Sequence, residues 1–203
     1  MKKLTITLAG LLILFLGHCM SGTQSIRKGQ MYSPDSGLFS VPSPVGFGGR
    51  YQETDHSVAF YDDMLAFYRI DFGLLHPKKL SVLNRHNIQE QLKIFSTIEF
   101  LEPLENNVPG SSLIHEEYIQ NGRDTLLLLV CFIPQGSTYV INGARQDVER
   151  GLLFFRRGDH MFILQTQYTP NLFSPDQEVP RDQKIEQVRN KLLGFRSTMQ
   201  VNL

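Results

Sequence analysis

Residues 113–133 read LIHEEYIQNGRDTLLLLVCFI, and this stretch decides the fold. Asn121-Gly122 is the dipeptide best suited to the positive-φ positions of a tight hairpin turn. It predicts a strand over residues 113–120 that turns back into a second strand over 125–133. The first strand mixes polar and apolar side chains. The second, continuing into Pro134 as TLLLLVCFIP, is too short to cross a membrane and too uniformly apolar to keep one side wet. A strand of that kind is covered on both faces. The sheet therefore lies between two other layers.

Toward the C-terminus, residues 138–142 offer a further short strand. Leu152–Arg156 and Met161–Tyr168 then form a pair around Arg157-Gly158-Asp159. A closing helix is predicted over residues 180–195. Ile185, Val188, Leu192 and Phe195 stripe one face, Pro180 suits the first turn, and Gly194 marks the end.

Toward the N-terminus, Leu38–Pro42 predicts a short first strand, stopped by Pro42-Ser43-Pro44. His56–Tyr61 and Met64–Phe72 predict two more, joined tightly at Asp62-Asp63. In the second, Met64, Ala66, Tyr68, Ile70 and Phe72 fall on one side, and Arg69 and Asp71 on the other, facing water. A helix follows, with Ile88, Leu92, Phe95 and Ile98 on one face. Asn87 and Glu90 make a capping box at its start, and Pro103 bars its continuation. This order predicts an α+β fold, a mostly antiparallel sheet with helices packed on it as a three-layer α-β-α sandwich.

The first residues carry a different message. Lys2 and Lys3 precede an apolar run of about 13 residues, Leu4–Leu16, which has the length of a signal-peptide core and not of a membrane span. Leu16-Gly17-His18-Cys19 resembles a bacterial lipoprotein signal, with His18 in a place usually held by a small residue. The competing cut is ordinary leader cleavage after Ser21 or Gly22. The polar, Gly/Ser-containing stretch after Cys19 favours lipidation there, since an anchor needs a tether before a folded domain. The expected organisation is a signal peptide over 1–19, a polar tether over 20–35 and one α+β domain over 36–203. Cys131 would then be the remaining thiol, so the fold stands without an intramolecular disulfide. Lys and Arg number 20, as do Asp and Glu, and losing Lys2 and Lys3 leaves the chain near neutrality. No strong field points to nucleic acid or to an anionic surface.

The GLFSVPSP start at 37–44, the strands and helix after it, LFFRRGDHMFILQTQY at 153–168 and LLGFRSTM at 192–199 together resemble the PsbP-like superfamily over about residues 36–199. That group includes accessory proteins of the photosynthetic oxygen-evolving complex, a nuclear Ran-binding factor and small bacterial envelope lipoproteins. The resemblance implies an α-β-α sandwich that acts as a binding or assembly module, without chemistry of its own. It carries no binding residue over to this chain.

Residue constellations that could bear chemistry are few. Gly46-Phe47-Gly48-Gly49 lacks the last glycine and the βαβ setting of a phosphate-cradling loop, and reads as a turn. His115-Glu116-Glu117 begins like a zinc-protease helix, but Ile119 stands where the second His belongs. His115 and Glu117 share a strand face and are the weak metal candidates, with His56, Asp62 or Asp63 as conceivable third ligands. Cys131 sits among apolar neighbours that raise a thiol pKa, so it reads as structural. The neighbouring carboxylates Asp62-Asp63 and Glu116-Glu117 point to opposite strand faces and do not share a proton. Arg157-Gly158-Asp159 spells an adhesion tripeptide at a place where a hairpin turn is required. Arg150, Phe154, Phe155, Arg156 and Arg157 could form a cationic aromatic edge for a partner's carboxylates.

The sequence is thus expected to encode an exported bacterial envelope protein, lipid-anchored through Cys19 and facing the periplasm or surface. It would be a non-catalytic binding or assembly accessory module with an envelope protein or complex as partner, without a cofactor. The alternatives are a periplasmic metal-dependent hydrolase using His115 and Glu117, or a small-ligand carrier.

Overall fold

The computed structural model describes residues 22–141, 143–171 and 178–203. The predicted leader, Cys19 and Asn142 lie outside these residues. In chain order the elements are β1 (Gln24–Ser25), β2 (Met31–Tyr32), β3 (Phe39–Pro42), β4 (Arg50–Thr54), β5 (Ser57–Tyr61) and β6 (Phe67–Leu74), followed by α1 (Pro77–Leu83) and α2 (Ile88–Ser96). A π-helical turn (Thr97–Leu101) leads into α3 (Glu102–Asn107). Then come β7 (Ser112–Asn121), β8 (Asp124–Ile133), β9 (Val140–Ile141), β10 (Ala144–Arg145), β11 (Val148–Arg157), β12 (His160–Gln167), α4 (Arg181–Thr198) and β13 (Gln200–Val201).

The main sheet has eight antiparallel strands in the order β1-β4-β5-β6-β12-β11-β8-β7. As the apolar run of β8 predicts, its side chains feed two cores in alternation. Leu126, Leu128 and Val130 join Leu153, Phe155, Phe162 and Leu164 on one face. Leu127, Leu129 and Cys131 join Leu152, Phe154, Met161 and Ile163 on the other. Each such fully buried Leu or Phe contributes roughly 1.5–3 kcal/mol of transfer free energy, which is why the hairpin between β7 and β8 holds its register from His115 to the turn; a bulge lies between Leu113 and His115. Asn121 pairs with Asp124, so the turn is centred on Gly122-Arg123, one residue later than the dipeptide indicates. Gly122 takes φ 61° there, at the first central position, which accommodates glycine.

The first face is covered by the Val188, Leu192 and Phe195 stripe of α4 and by a small sheet ordered β13-β3-β2. The second is covered by α1, α2 and α3. This is the expected three-layer α+β sandwich.

Four local readings are corrected. First, of the tether expected over 20–35, the described residues, from 22 onward, are not free along their length. Gln24 and Ser25 pair with Tyr51 and Arg50, Met31 and Tyr32 pair with Pro42 and Val41, and Ile26 and Tyr32 are buried. Tyr32 donates to Glu53 Oε2 at 2.6 Å. Two apolar anchors suffice because the edge of β4 offers unpaired backbone groups to a passing segment.

Second, Pro103 does not end the helical run. The Glu102 N–H reaches back to the Thr97 carbonyl, a π-type bond, and Pro103 falls in the first turn of α3, where no N–H is required. Third, the helix is not the first: it starts at the expected Asn87–Glu90 capping box, with both bonds made, but a separate α1 that the sequence did not announce precedes it. Fourth, α4 passes Gly194 and ends at Thr198, because burial of Phe195 and Arg196 outweighs a cost of about 1 kcal/mol for glycine in a helix.

Candidate binding cleft

Strands β5 and β6 alternate as β8 does, but only one of their faces packs into a core. Val58, Phe60, Ile70 and Phe72 point into the first core, with Phe39 against Phe72 at 5.1 Å between ring centroids and Tyr32 edge-on to Phe60 at 5.4 Å. The intervening residues, Gln52, Ala59, Tyr61, Phe67, Arg69 and Asp71, point the other way. On that second face α1–α3 lie over β7, β8, β11 and β12, and among the described residues no helix lies over β4–β6. The sandwich is open there.

The open face holds two adjoining hollows of about 660 and 690 Å³, which share Thr54, Ser57 and Arg69. The first runs from the Asp62–Ala66 loop to Thr138–Val140. The second runs along β6 to Phe95 on α2, over Leu75, Met161 and Ile163. At their junction Arg69 grips Asp71 through Nε (2.8 Å) and Nη2 (2.6 Å) to Oδ1, and Gln165 donates to Asp71 Oδ2 at 2.6 Å. This ladder crosses β6 and β12 and fixes a polar band between two apolar floors. Beneath one end, the Arg150 guanidinium lies 5.7 Å from the Phe67 ring centre and donates to the Gly136 carbonyl. Burial, and after it the charges of Arg69 and Arg145, bring the Arg150 pKa down to about 10. At the other end Lys79 pairs with Glu99 across the α1–α2 side. Such an arrangement can bind.

Of the residues singled out from the sequence, His56, Asp62 and Asp63 line these hollows and Arg150 lies beneath one of them, while the others lie elsewhere. Phe154 and Phe155 are fully buried, in opposite cores, because successive strand residues face opposite ways. Arg150 is buried under the cleft. Arg156 donates to Asn84 Oδ1 (2.8 Å), Gln91 Oε1 (2.6 Å) and the Gly158 carbonyl (2.8 Å), pinning α1 and α2 to the β11–β12 turn. Arg157 pairs with Asp124 on the other face. The expected cationic aromatic edge is therefore corrected: its rings are core, Arg150 is buried, Arg156 is a mostly covered strut, and Arg157, though partly exposed, is engaged by Asp124. The same bonds occupy the adhesion-like tripeptide.

His115 and Glu117 do meet, Nε2 to Oε2 at 3.5 Å. Glu117 is held by Arg189 through 2.8 and 3.1 Å bonds, and these hold its carboxyl below the usual range. Among the described residues no group of three His, Cys, Asp or Glu side chains converges to hold a metal ion. Burial pushes the Cys131 thiol up to about 12. The cleft itself escaped the sequence reading, since β4 carries no apolar alternation that would flag it. Only the outward placement of Arg69 and Asp71 pointed to it.

No family model matches the chain, and no curated protein matches it in sequence. Solved structures do. The solution structure of cyanobacterial PsbP (CyanoP) from Synechocystis sp. PCC 6803 superposes with a TM-score of 0.52 at 12% identity, covering 92% of this chain and 99% of that one. The Ran-binding protein Mog1p of Saccharomyces cerevisiae superposes with a TM-score of 0.51 at 13% identity, covering 87% and 96%. At such identities the likeness is one of backbone architecture, and the protein has the PsbP-like fold.

Proposed function

We propose that this protein is an exported binding module of a bacterial envelope, acylated on Cys19, which takes a protein partner on the open face of β4–β6. The observation that carries the reading is the uncovered part of the second face. The uncovered stretch is a wide trough with apolar floors and a fixed polar band, the composition of a recognition surface. Support for a protein as ligand comes from the fold: one of its solved neighbours is described as Ran-binding. An acyl anchor would confine the domain to a membrane surface and raise its effective concentration for neighbours there.

The test is site-specific photocrosslinking in cells that make the full chain. A benzophenone side chain in place of Ala59, on the cleft floor, is expected to yield one defined protein adduct. The same group in place of Glu186, exposed on α4, is not. Equal labelling from both positions, or none from position 59, would overturn the cleft. Mass spectrometry of the mature N-terminus reads the anchor separately: a diacylated Cys19 supports it, and a chain beginning after Ser21 or Gly22 removes it.

A further inference from the structure

Two loops at one end of the open face are built to hold apolar side chains in water. The first is the β3–β4 connection, with Gly46-Phe47-Gly48-Gly49. The second joins β5 to β6 through Asp62–Ala66. Asp62 binds them together: its Oδ2 accepts from the Gly46 N–H at 2.8 Å, and its Oδ1 accepts from the Met64 and Ala66 N–H groups at 3.0 Å each. The Asp63 N–H donates to the Phe47 carbonyl at 3.2 Å, and Arg50 pairs with the Asp63 carboxylate. Gly48 takes φ 69°, and a β-carbon there would collide with that carboxylate. Leu65 takes φ 64°, a conformation that costs a bulky side chain about 1–3 kcal/mol and is retained where function holds it. The tips of these braced loops are Phe47, 79% exposed, and Met64, 43% exposed. Isolated apolar side chains on a surface are ordinary. A pair carried on two mutually clamped loops, one of them strained, is not a by-product of packing.

The same end carries cations and the start of the domain. Arg27 and Lys28 are exposed on the turn between β1 and β2, which is tied to the Phe47 loop by the bonds from Ile26 N–H to the Gly49 carbonyl (2.9 Å) and from Gly29 N–H to the Ser43 carbonyl (3.0 Å). Thr23 Oγ1 lies 3.2 Å from Tyr61 Oη, and the Tyr61 ring lies 5.5 Å from the Arg50 guanidinium that clamps the second loop. Met20 and Ser21 are all that separates Cys19 from Gly22. An extended chain covers at most about 3.6 Å per residue, so an acyl group on Cys19 would keep the bilayer on the order of 15 Å from Thr23.

We infer that this end of the domain docks on the lipid surface. Phe47 and Met64 enter the interface between headgroups and acyl chains, and Arg27 and Lys28 lie over anionic headgroups. The inference rests on the acyl anchor proposed above and adds a second contact to it. With two contacts, the cleft has a fixed orientation to the membrane instead of a swinging one.

The chain contains no tryptophan, so F47W introduces a single indole. The full-length lipidated protein is reconstituted in phosphatidylcholine vesicles with brominated acyl chains, with or without phosphatidylglycerol. The F47W indole is expected to emit further to the blue and to be quenched severalfold more than that of V82W, a control exposed on α1. M64W reports the second loop independently. Replacing Arg27 and Lys28 by Glu should bring quenching in the phosphatidylglycerol vesicles down to the level without it. Quenching at 47 and 64 no greater than at 82 would overturn the inference, as would shielding of the indoles that needs an added protein and not lipid. Mass spectrometry of the same preparation reads acylation of Cys19. A failed anchor and a failed loop contact are therefore separate results.

Discussion

Asp124 and Arg196, 72 positions apart in the chain, meet at 2.5 Å between Oδ2 and Nη2. Arg157 reaches the same carboxylate from the other side, Nε to Oδ1 at 2.7 Å, and Arg196 lies 4.4 Å over the Phe155 ring. One buried acid thereby ties the beginning of β8, the end of β11 and the end of α4. Asp124→Ala would leave the Arg196 charge buried without its partner, a loss of about 3–5 kcal/mol. Urea unfolding should show a lower midpoint at unchanged slope.

A second constraint is steric. Gly151 on β11 faces α4 so closely that a β-carbon would overlap Val188 and lie 2.8 Å from Leu192 Cδ1. G151A should therefore cost about 1–3 kcal/mol by overpacking. Thermal unfolding checks this. G194A, on the same helix with open space at its β-carbon, should not destabilise.

The pH dependence follows from Glu117. Its pKa is lowered in the folded protein, first by the hydrogen bonds from Arg189. A depressed carboxyl contributes stability that is fully present above its unfolded pKa, 4.5, and is lost as pH falls through the folded value. E117Q should show a flatter decline of stability below pH 4.5 than the parent, measured by denaturant midpoints across that range.

Cys131 offers a probe of global opening. Fully buried and with its thiol pushed up to about 12, it should resist maleimide or disulfide reagents near pH 8 in the native state and react stoichiometrically in denaturant. Native reactivity at the rate of a model thiol would contradict the covered position of β8.

Much of the architecture was legible because it rests on local rules. The Asn87–Glu90 capping box, the apolar β8 flanked by a glycine turn, and the Val188, Leu192 and Phe195 stripe are each written within a few consecutive residues. The misread segments are those where a distant partner decides. Residues 24–32 carry too few apolar side chains to announce strands, yet Gln24–Ser25 and Met31–Tyr32 become strands because β4 and β3 lie beside them. Pro103 reads as a stop, yet a π turn absorbs its missing donor while Phe100, Leu101 and Leu104 stay buried. The LFFRR stretch reads as a sticky edge because a sequence places residues side by side without saying which face each will see.

The sequence by itself determined the periodicities, and through them the α+β class, the doubly covered strand and the layer order, since side-chain spacing follows directly from backbone geometry. Which stretch of sheet stays uncovered, which arginines are engaged by distant partners, and that the loops bearing Phe47 and Met64 are clamped to one another were decided only by tertiary structure. Those outcomes depend on pairings between segments far apart in the chain, where burial and charge are settled by what arrives opposite and not by what lies adjacent.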